Sequence, residues 1–502
     1  MNSIPWCGHS GISIAKCWVL AHGSILAPIL ARSPKFVHLL RTWRPGDLTM
    51  LGASELGIPT DDFTFRIHRD DSSGDAGKVV AFWICPLLKD TFDHSFESWT
   101  VCRLLLPVFL LIKRESVVST GKEEESDKAE IERVLRELTK QTAIGGKLKK
   151  GAVVELISTP FENLFFADSI SRGIIGNLLG TEQCLILMDV AAFPGCEGSP
   201  LFLVNDRGDR NICGMVIASS SCYRGEWPNC TFAVNLLPSL KLILQSQIIK
   251  DEYPQYLTCT VFPFTWRNRL EIGALEKSVA IVKCGPNWGT GILVDEQSGT
   301  FVTCAHVLTT APNTIVQFAT MTSIASCKRR SEWFAEGKLI YKTPDNQPYD
   351  IAVLRIDSKF EKPPMKAIKL ADRPARKGEQ VLSIAFPFSS KGRSPTITSG
   401  IVSKTLSCML QTNCCIQNGV SGGPIVRRTD FQMLGLIVCN AASTNGSISY
   451  PKLCMAIPIN VLRGPLNNYL RTNDPQTLQD LTQHDQNVVA TWNLRPFLPS
   501  SI

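Results

Sequence analysis

Residues 418–426 read N-G-V-S-G-G-P-I-V, and this stretch decides the fold. Glycines flank a serine, and a proline with an apolar run follows, which is typical of a tight turn that leads into a β-strand. A serine hydroxyl becomes a nucleophile only when a neighbouring imidazole removes its proton, and a carboxylate must hold that imidazole in one tautomer. A catalytic role for this serine therefore requires a histidine and an acid elsewhere in the chain.

Two upstream segments supply these groups. T-C-A-H (303–306) ends in His306, and Y-D-I-A-V-L-R (349–355) places Asp350 directly before an apolar run. Each segment alone has an ordinary structural interpretation, because many histidines are core residues and an aspartate before a strand is often a turn cap. Their joint occurrence in the order His, Asp, Ser, at spacings of 44 and 71 residues, predicts a catalytic triad with Ser421.

The glycines around Ser421 have a chemical reason. The backbone amides of Gly419 and Ser421 must both point at the oxyanion that develops during acyl transfer. A turn with this geometry is too tight for side chains, which favours glycine. We therefore predict an oxyanion hole formed by these two amides.

The first half of the chain contains a second version of the stretch, G-C-E-G-S-P (195–200), with Glu197 in place of the serine. Other segments repeat in the same order. They are V-E-L-I-S-T-P-F-E-N (154–163) with L-S-I-A-F-P-F-S-S (382–390), S-R-G-I-I-G (171–176) with T-S-G-I-V-S (398–403), and I-C-G-M-V-I-A (212–218) with M-L-G-L-I-V-C (433–439). Four matches in one order predict that the two halves are copies of one fold.

The first copy lacks groups that the chemistry needs. W-V-L-A-H-G (18–23) places His22 where His306 lies in the second copy, and T-V-C-R-L-L (100–105) is the best match to the strand after Asp350 but has no aspartate. A carboxylate is a weak acyl-transfer nucleophile, and Ser199 comes two residues too late for the amides of the turn. We expect the first copy to be inactive.

Composition and patterning favour an all-β protein with several domains. The 502 residues exceed the roughly 100–200 residues of one domain. Short runs of Val, Ile, Leu and Phe, separated by Gly, Pro, Asn and Ser, are typical of barrels or sandwiches. We predict a degenerate domain over 1–255, a catalytic domain over 256–470 and a tail over 471–502.

A charged insertion at about 113–151 interrupts the β pattern of the first domain. It contains K-E-E-E-S-D-K-A-E-I-E-R-V-L-R-E-L-T-K, and its weak helical period rests on Ile131, Leu135 and Leu138. The high charge favours a solvated helix or a flexible insertion over a part of the core.

Charge and cysteine spacing exclude several classes of partner. The net charge of +7 is spread over 52 basic and 45 acidic residues, so nucleic acid is not an expected partner. The longest apolar run (99–112) is interrupted by Arg103 and Pro107 and is shorter than the ~20 residues of a membrane span. The 18 cysteines form no Cys-x-x-Cys pair, so we expect no metal, no cofactor and free thiols in a reducing compartment.

Residues from about 278 to 465 resemble family S1 serine proteases of the chymotrypsin fold, nearest the HtrA/Deg type. The resemblance rests on the segments around the three triad residues and on G-T-G-I-L-V (289–294), I-T-S-G-I-V-S (397–403), L-Q-T-N-C-C-I-Q-N-G-V-S-G-G-P (410–424) and M-A-I-P-I-N (455–460). It implies tandem domains of two six-stranded β-barrels each, with the triad in the cleft between the barrels of the second copy.

The same resemblance implies a primary specificity pocket. Its base is Cys415, six residues before the nucleophile, and one wall is formed by Val438, Cys439 and Asn440. An aspartate at the base would select Arg or Lys by charge, and none is present. We expect the pocket to prefer small or apolar side chains, cysteine included.

The degenerate copy in front and the short tail behind resemble proteases that trim leader peptides from imported peroxisomal enzymes, notably those of fatty-acid β-oxidation. The resemblance implies a serine endopeptidase in the peroxisomal matrix that acts on protein precursors. Self-association is a further expectation. The chain ends Pro499, Ser500, Ser501, Ile502 where a Ser-Lys-Leu type signal is usual, so a cytoplasmic location is the other expectation. The competing function is a catalytically silent, chaperone-like scaffold that holds peptides.

Overall fold

A computed structural model describes residues 8–493 apart from 16, 31–32, 44, 47, 51–63, 68–73, 96–103, 115–122, 206, 219–229, 248–268, 309–315, 324–329, 346, 358–364, 388–393 and 443–448. The described elements divide into two compact units, one ending at Gln247 and the other beginning at Arg269. The predicted boundary at 255/256 and the C-terminal Ser-Ser-Ile lie outside the described residues. Within the described part, no helix is both long and apolar enough to cross a bilayer.

The first unit contains twelve described strands and five described helices. The strands are β1 Gly11–Ala15, β2 Trp18–His22, β3 Leu48–Met50, β4 Thr64–Ile67, β5 Asp75–Ile84, β6 Val108–Arg114, β7 Val153–Ser158, β8 Ser169–Leu179, β9 Leu185–Met188, β10 Pro200–Val204, β11 Arg210–Ala218 and β12 Thr231–Asn235. The helices are α1 Ala27–Leu30, α2 Pro34–Thr42, α3 Pro86–Ser95, α4 Glu123–Ile144 and α5 Leu236–Gln247.

The second unit has the same number of described strands and three described helices. The strands are β13 Val279–Cys284, β14 Asn287–Asp295, β15 Thr300–Thr303, β16 Val316–Ser323, β17 Arg330–Lys342, β18 Ala352–Ile356, β19 Gln380–Ala385, β20 Thr396–Thr405, β21 Leu410–Thr412, β22 Pro424–Arg427, β23 Met433–Ala442 and β24 Ser449–Pro458. The helices are α6 Arg269–Glu276, α7 Ile459–Thr472 and α8 Gln486–Trp492.

Three of the four β-structures close into six-stranded antiparallel barrels. In the second unit the orders are β13-β14-β15-β18-β17-β16 and β19-β20-β21-β24-β23-β22. The barrel of the first unit, β7-β8-β9-β12-β11-β10, repeats the second of these orders strand for strand. The prediction of an all-β fold class with tandem chymotrypsin-fold units is confirmed, in a chain that also contains helices.

The remaining sheet of the first unit is open among its described residues. Its order is β1-β2-β6-β5-β3, with β4 also paired to β5. Strand β2 pairs with β1 on one side and with β6 on the other, where Leu20 lies opposite Leu111, so β6 takes the place that β18 has beside β15. The sequence match to residues 100–105 was therefore wrong, because Leu104 and Leu105 lie in a short 3₁₀ turn and residues 100–103 lie outside the described part.

The charged insertion forms a helix, α4, and, contrary to expectation, one face of this helix belongs to the core. Ile131, Val134, Leu135 and Leu138 are each at most 4% exposed, and the helix packs on α5 and β11. Their spacing of three and four residues gives a single apolar stripe along the helix. The expectation of a helix without a core face was wrong, because the many charges occupy only the remaining faces.

Candidate active site

Strand pairing brings His306 and Asp350 together. His306 lies in a 3₁₀ turn directly after β15, Asp350 precedes β18, and these strands pair at Thr303 with Ala352. The Asp350 carboxylate accepts a hydrogen bond from the backbone amide of His306 at 2.9 Å, and its other oxygen contacts Nδ1 of the imidazole. The acid thus fixes both the backbone and the ring, while half of the His306 side chain stays exposed.

Ser421 lies in a turn that glycines make possible. Gly419 and Gly422 have φ angles of +90° and +87°, in the region that side chains avoid. A Cβ on Gly419 would lie 2.4 Å from the carbonyl oxygen of Phe386, and one on Gly422 would lie 2.1 Å from that of Thr290. The turn is fastened by hydrogen bonds from the amide of Gly422 to Ile437 and from the amide of Gly423 to Val420.

The two proposed oxyanion donors are available for a ligand. Among the described residues, no backbone or side-chain acceptor receives the amide hydrogen of Gly419 or of Ser421. Both amides belong to a mostly buried turn. A buried amide without a hydrogen-bond acceptor costs free energy unless a bound group accepts its hydrogen. The arrangement can therefore stabilise a negatively charged oxygen.

The Ser421 turn packs against the segment that carries His306. A Cβ on Gly422 would lie 2.4 Å from Oγ1 of Thr303 and 3.1 Å from the amide of Cys304. The Cys304 thiol, two residues before His306, donates to the carbonyl of Ile437 at 3.1 Å. The structure thus brings together the segments of all three predicted triad residues, although it records no hydrogen bond between His306 and Ser421 themselves.

Cys304, His306 and Asp350 place one donor atom each within 4.8 Å of one another, which raises the question of a metal. Burial raises the pKa of the Cys304 thiol well above its usual value. The thiol also donates a hydrogen bond to the carbonyl oxygen of Ile437. Because soft metals bind the thiolate, this set fits a histidine–carboxylate pair beside a packed cysteine better than a metal centre.

The predicted pocket residues occupy neighbouring segments of the second barrel. Cys415 and Val438 are buried, Asn440 is half-buried, and Cys439 is exposed. The side-chain amide of Asn440 donates to the carbonyl of Ile416 at 3.3 Å, which ties strand β23 to the segment of Cys415. The surrounding protein and, to a smaller extent, the Asp350 carboxylate raise the pKa of Cys439 to about 11. The site thus presents the neutral thiol of Cys439 and the side-chain amide of Asn440.

The first unit contains the same turn with different chemistry. Gly195 and Gly198 have φ angles of +91° and +86°, and the amides of Gly198 and Ser199 donate to Val216 and Cys196, as in the second unit. However, the amide of Gly195 donates to the carboxylate of Glu197 at 3.0 Å. The residue in the place of the serine therefore accepts a hydrogen bond from Gly195, whose counterpart Gly419 is one of the two predicted oxyanion donors, and Ser199 is fully buried.

Sequence reasoning missed the role of residues 8–12, G-H-S-G-I, which match W-G-T-G-I (288–292). A Cβ on Gly198 would lie 2.1 Å from the carbonyl oxygen of Ser10. A Cβ on Gly422 would lie at the same distance from the carbonyl oxygen of Thr290. His9 thus replaces Gly289, and its Nδ1 lies 3.7 Å from the Glu197 carboxylate. Only Gly11 and Ile12 are identical to their counterparts Gly291 and Ile292, and so short a match was visible only once the strands were aligned.

His22 is buried and differs from His306 in its partners. Its ring nitrogens contact Ser24 Oγ at 2.9 Å and the carbonyl oxygen of Leu106 at 3.0 Å. Burial, only partly opposed by the Leu106 carbonyl and Glu197, lowers the pKa of His22 to about 4. The ring is therefore neutral at pH 7, and no carboxylate of the described residues is hydrogen-bonded to either ring nitrogen.

The fold and the sequence of the second unit are both similar to those of trypsin-like peptidases. Residues 289–436 match the family model of the trypsin-like peptidase domain. The wider chain is similar to the peroxisomal leader peptide-processing proteases of Homo sapiens, with 29% identity over 364 residues, and of Mus musculus, with 28% over 374. Each match covers 70% of this chain and 61% of the relative, so the chain spans about three fifths of the length of these proteins.

A bacterial relative matches a shorter region. The periplasmic serine endoprotease DegP of Escherichia coli K12 is 29% identical over 185 residues, which is 35% of this chain and 34% of DegP. The predicted resemblance to peroxisomal leader-processing proteases and to the HtrA/Deg type is confirmed by these matches.

Proposed function

We propose that this protein is a serine endopeptidase in which the second unit cleaves peptide bonds through an acyl-enzyme. The observation that carries the proposal is the His306–Asp350 pair beside a glycine turn whose amides at Gly419 and Ser421 have no protein acceptor among the described residues. Acyl transfer needs a base and an oxyanion site next to one hydroxyl, and this arrangement offers them at Ser421.

In this mechanism, His306 accepts the proton of the Ser421 hydroxyl as the oxygen attacks the substrate carbonyl. Asp350 keeps the proton of the imidazole on Nδ1 and stabilises the imidazolium that forms. The amides of Gly419 and Ser421 bind the oxyanion, and His306 then passes its proton to the leaving amine. Water repeats the sequence on the acyl-enzyme. The hydrogen bond between Ser421 and His306 is expected to form once substrate fills the site, as is common for catalytic pairs.

The substrate class follows from the pocket and from the relatives. Cys415, Val438, Cys439 and Asn440 carry no charge that would attract Arg or Lys, which supports a preference for small or apolar side chains, cysteine included. Two relatives are named for processing peroxisomal leader peptides. We extend this activity to the present chain: precursors of peroxisomal enzymes as substrates, the peroxisomal matrix as location, and self-association.

The first unit is the inactive copy in this proposal. Residues 1–255 form the degenerate domain with its insertion at about 113–151, residues 256–470 the catalytic domain and residues 471–502 the tail. The Glu197 carboxylate on the Gly195 amide supports this division of labour. The silent peptide-holding scaffold is the alternative function for the whole chain.

Labelling with a fluorophosphonate probe separates the two functions. The probe forms a covalent bond only with a serine whose base and oxyanion site are in place. We expect one labelled peptide that contains Ser421, with labelling lost in Ser421→Ala and retained in Ser199→Ala. A folded protein that stays unlabelled would favour the scaffold. A peptide library profile dominated by Arg and Lys before the cleaved bond would contradict the proposed specificity.

A further inference from the structure

Thr290 connects the first barrel of the second unit to the Ser421 turn. It is fully buried on β14, and it lies in the G-T-G-I-L-V segment, which has no role in the mechanism above. Its hydroxyl donates to the carbonyl of Gly419 at 2.8 Å and accepts from the amide of Phe386 at 3.0 Å. Its backbone amide donates to the carbonyl of Ser421 at 2.9 Å.

These bonds hold the carbonyl groups of the two residues that supply the oxyanion hole. The Gly419 carbonyl precedes the Ser421 amide along the chain, and the Ser421 carbonyl follows it. A glycine with a positive φ has wide torsional freedom, so the peptide planes of this turn can rotate unless other groups fix them. One residue, Thr290, fixes a plane on each side of the Ser421 amide.

The first unit provides an internal comparison. Ser10, which corresponds to Thr290, also donates from its hydroxyl to the Gly195 carbonyl at 3.1 Å and accepts from the Thr159 amide at 3.2 Å. Its backbone amide, however, donates to Gly195 at 3.2 Å and not to the residue in the nucleophile position. The hydroxyl bridge is therefore part of the shared turn, while the hold on both residues occurs in the copy that has the serine.

We propose that Thr290 is a positioning residue that holds the amides of Gly419 and Ser421 in the orientation that binds the oxyanion. The inference rests on the proposed peptidase function. Its chemical consequence is specific: loss of the hydroxyl weakens binding of the tetrahedral transition state, while binding of the planar substrate is hardly changed.

The test is Thr290→Val, which keeps the shape and removes the hydroxyl, in the full chain. We expect kcat to fall about 10- to 100-fold and KM to change less than about threefold, since a small misplacement of the oxyanion donors affects the transition state most. A peptide aldehyde, which becomes tetrahedral on Ser421, should lose affinity by a similar factor. Thr290→Ser, which restores the hydroxyl as in the first unit, should return kcat to within about threefold.

Two matched variants report on general destabilisation. Thr300→Val removes a buried threonine hydroxyl of the same barrel, one that bonds to Ser298 at 2.6 Å. Ser10→Ala removes the corresponding hydroxyl in the first unit. Both should keep the wild-type kcat and aldehyde affinity, whatever their effect on the free energy of unfolding.

The outcomes are separable. If Thr290→Val keeps the wild-type kcat, or if Thr300→Val loses as much of it, the positioning role is overturned while the peptidase function stands. The role is also overturned if only KM rises, or if Thr290→Ser is no better than Thr290→Val. A wild-type protein that neither cleaves peptides nor reacts with the fluorophosphonate overturns the proposed function, and this role with it.

Discussion

The two glycine turns of this protein share one backbone conformation but differ in the groups that their amides meet. In both, a pair of left-handed glycines three residues apart and the same local hydrogen bonds set the path of the chain. In the second unit the turn leaves two amide donors, those of Gly419 and Ser421, without an acceptor in the part of the protein that the structure describes, beside His306 and Asp350. In the first unit Glu197 accepts from one of these donors, and His9 stands beside it.

The comparison teaches that the turn and the chemistry are separate properties. Strand pairing and the two glycines maintain the turn, because a side chain in place of the second glycine would clash with the backbone of Thr290 or Ser10. The side chain in the nucleophile position can change without loss of the turn. Replacement of serine by a carboxylate even satisfies a donor that an empty oxyanion hole leaves open.

The largest expected effect separates the two copies by activity. Ser421→Ala should lower kcat for a peptide substrate by a factor on the order of 10⁶, because the nucleophile of a triad is lost. Ser199→Ala should leave kcat unchanged, since this hydroxyl is fully buried. Peptidase assays on both purified variants make the measurement, and the reverse result would place catalysis in the first unit.

The second prediction tests whether both turns depend equally on glycine. Gly422→Ala and Gly198→Ala each combine a positive φ with a Cβ placed 2.1 Å from a carbonyl oxygen. Each should reduce the free energy of unfolding of its own unit by about 2–5 kcal/mol. Urea denaturation measures this loss. The folded fraction of Gly422→Ala should also lose activity, whereas folded Gly198→Ala should keep it; equal kinetic effects would refute the distinction between the copies.

The third prediction uses the buried His22. An unfolded chain protonates histidine below a pKa of about 6.5, whereas the folded protein does so only near pH 4. The unfolded state therefore binds more protons between these values, and stability should fall as the pH drops from 6.5 to 4, by about 2–3 kcal/mol in total. Above pH 6.5 this residue imposes no penalty.

Urea denaturation of the wild type and of His22→Gln at pH 7 and pH 4.5 measures this contribution. Gln retains a donor and an acceptor but does not titrate. The loss of stability between the two pH values should be smaller in the variant. Equal losses in both proteins would show that His22 is not the titrating group.

The smallest expected effect concerns Glu197. Glu197→Ala leaves the buried Gly195 amide without this acceptor and should cost about 1–3 kcal/mol of unfolding free energy, whereas Glu197→Gln should recover most of it. Glu197→Ser should not create an active site, because the Nε2 of His22 contacts the Leu106 carbonyl. Peptide hydrolysis by Glu197→Ser in a Ser421→Ala background would contradict this reading of the first unit.

Local sequence predicted much of the second unit. The segments around His306, Asp350 and Ser421 contain the residue types of a catalytic triad in a recognisable order. The β-strands around them show apolar runs bounded by turn-forming residues. The repeat predicted that the two halves are copies of one fold, and the barrels β7–β12 and β19–β24 have the same strand order. The prediction failed for the strand that pairs with β2 and for the buried face of α4, because pairing and packing depend on partners elsewhere in the chain.

Short segments of this chain are enough to locate the turns and the side chains that can act chemically, because torsional preference and reactivity are local properties. Which residues come into contact depends on the tertiary structure. Ser10 contacts Gly195 across 185 residues, and Thr290 contacts Gly419 across 129. No short segment encodes such a contact, since it exists only after strands from distant parts of the chain have closed into barrels and brought their ends together.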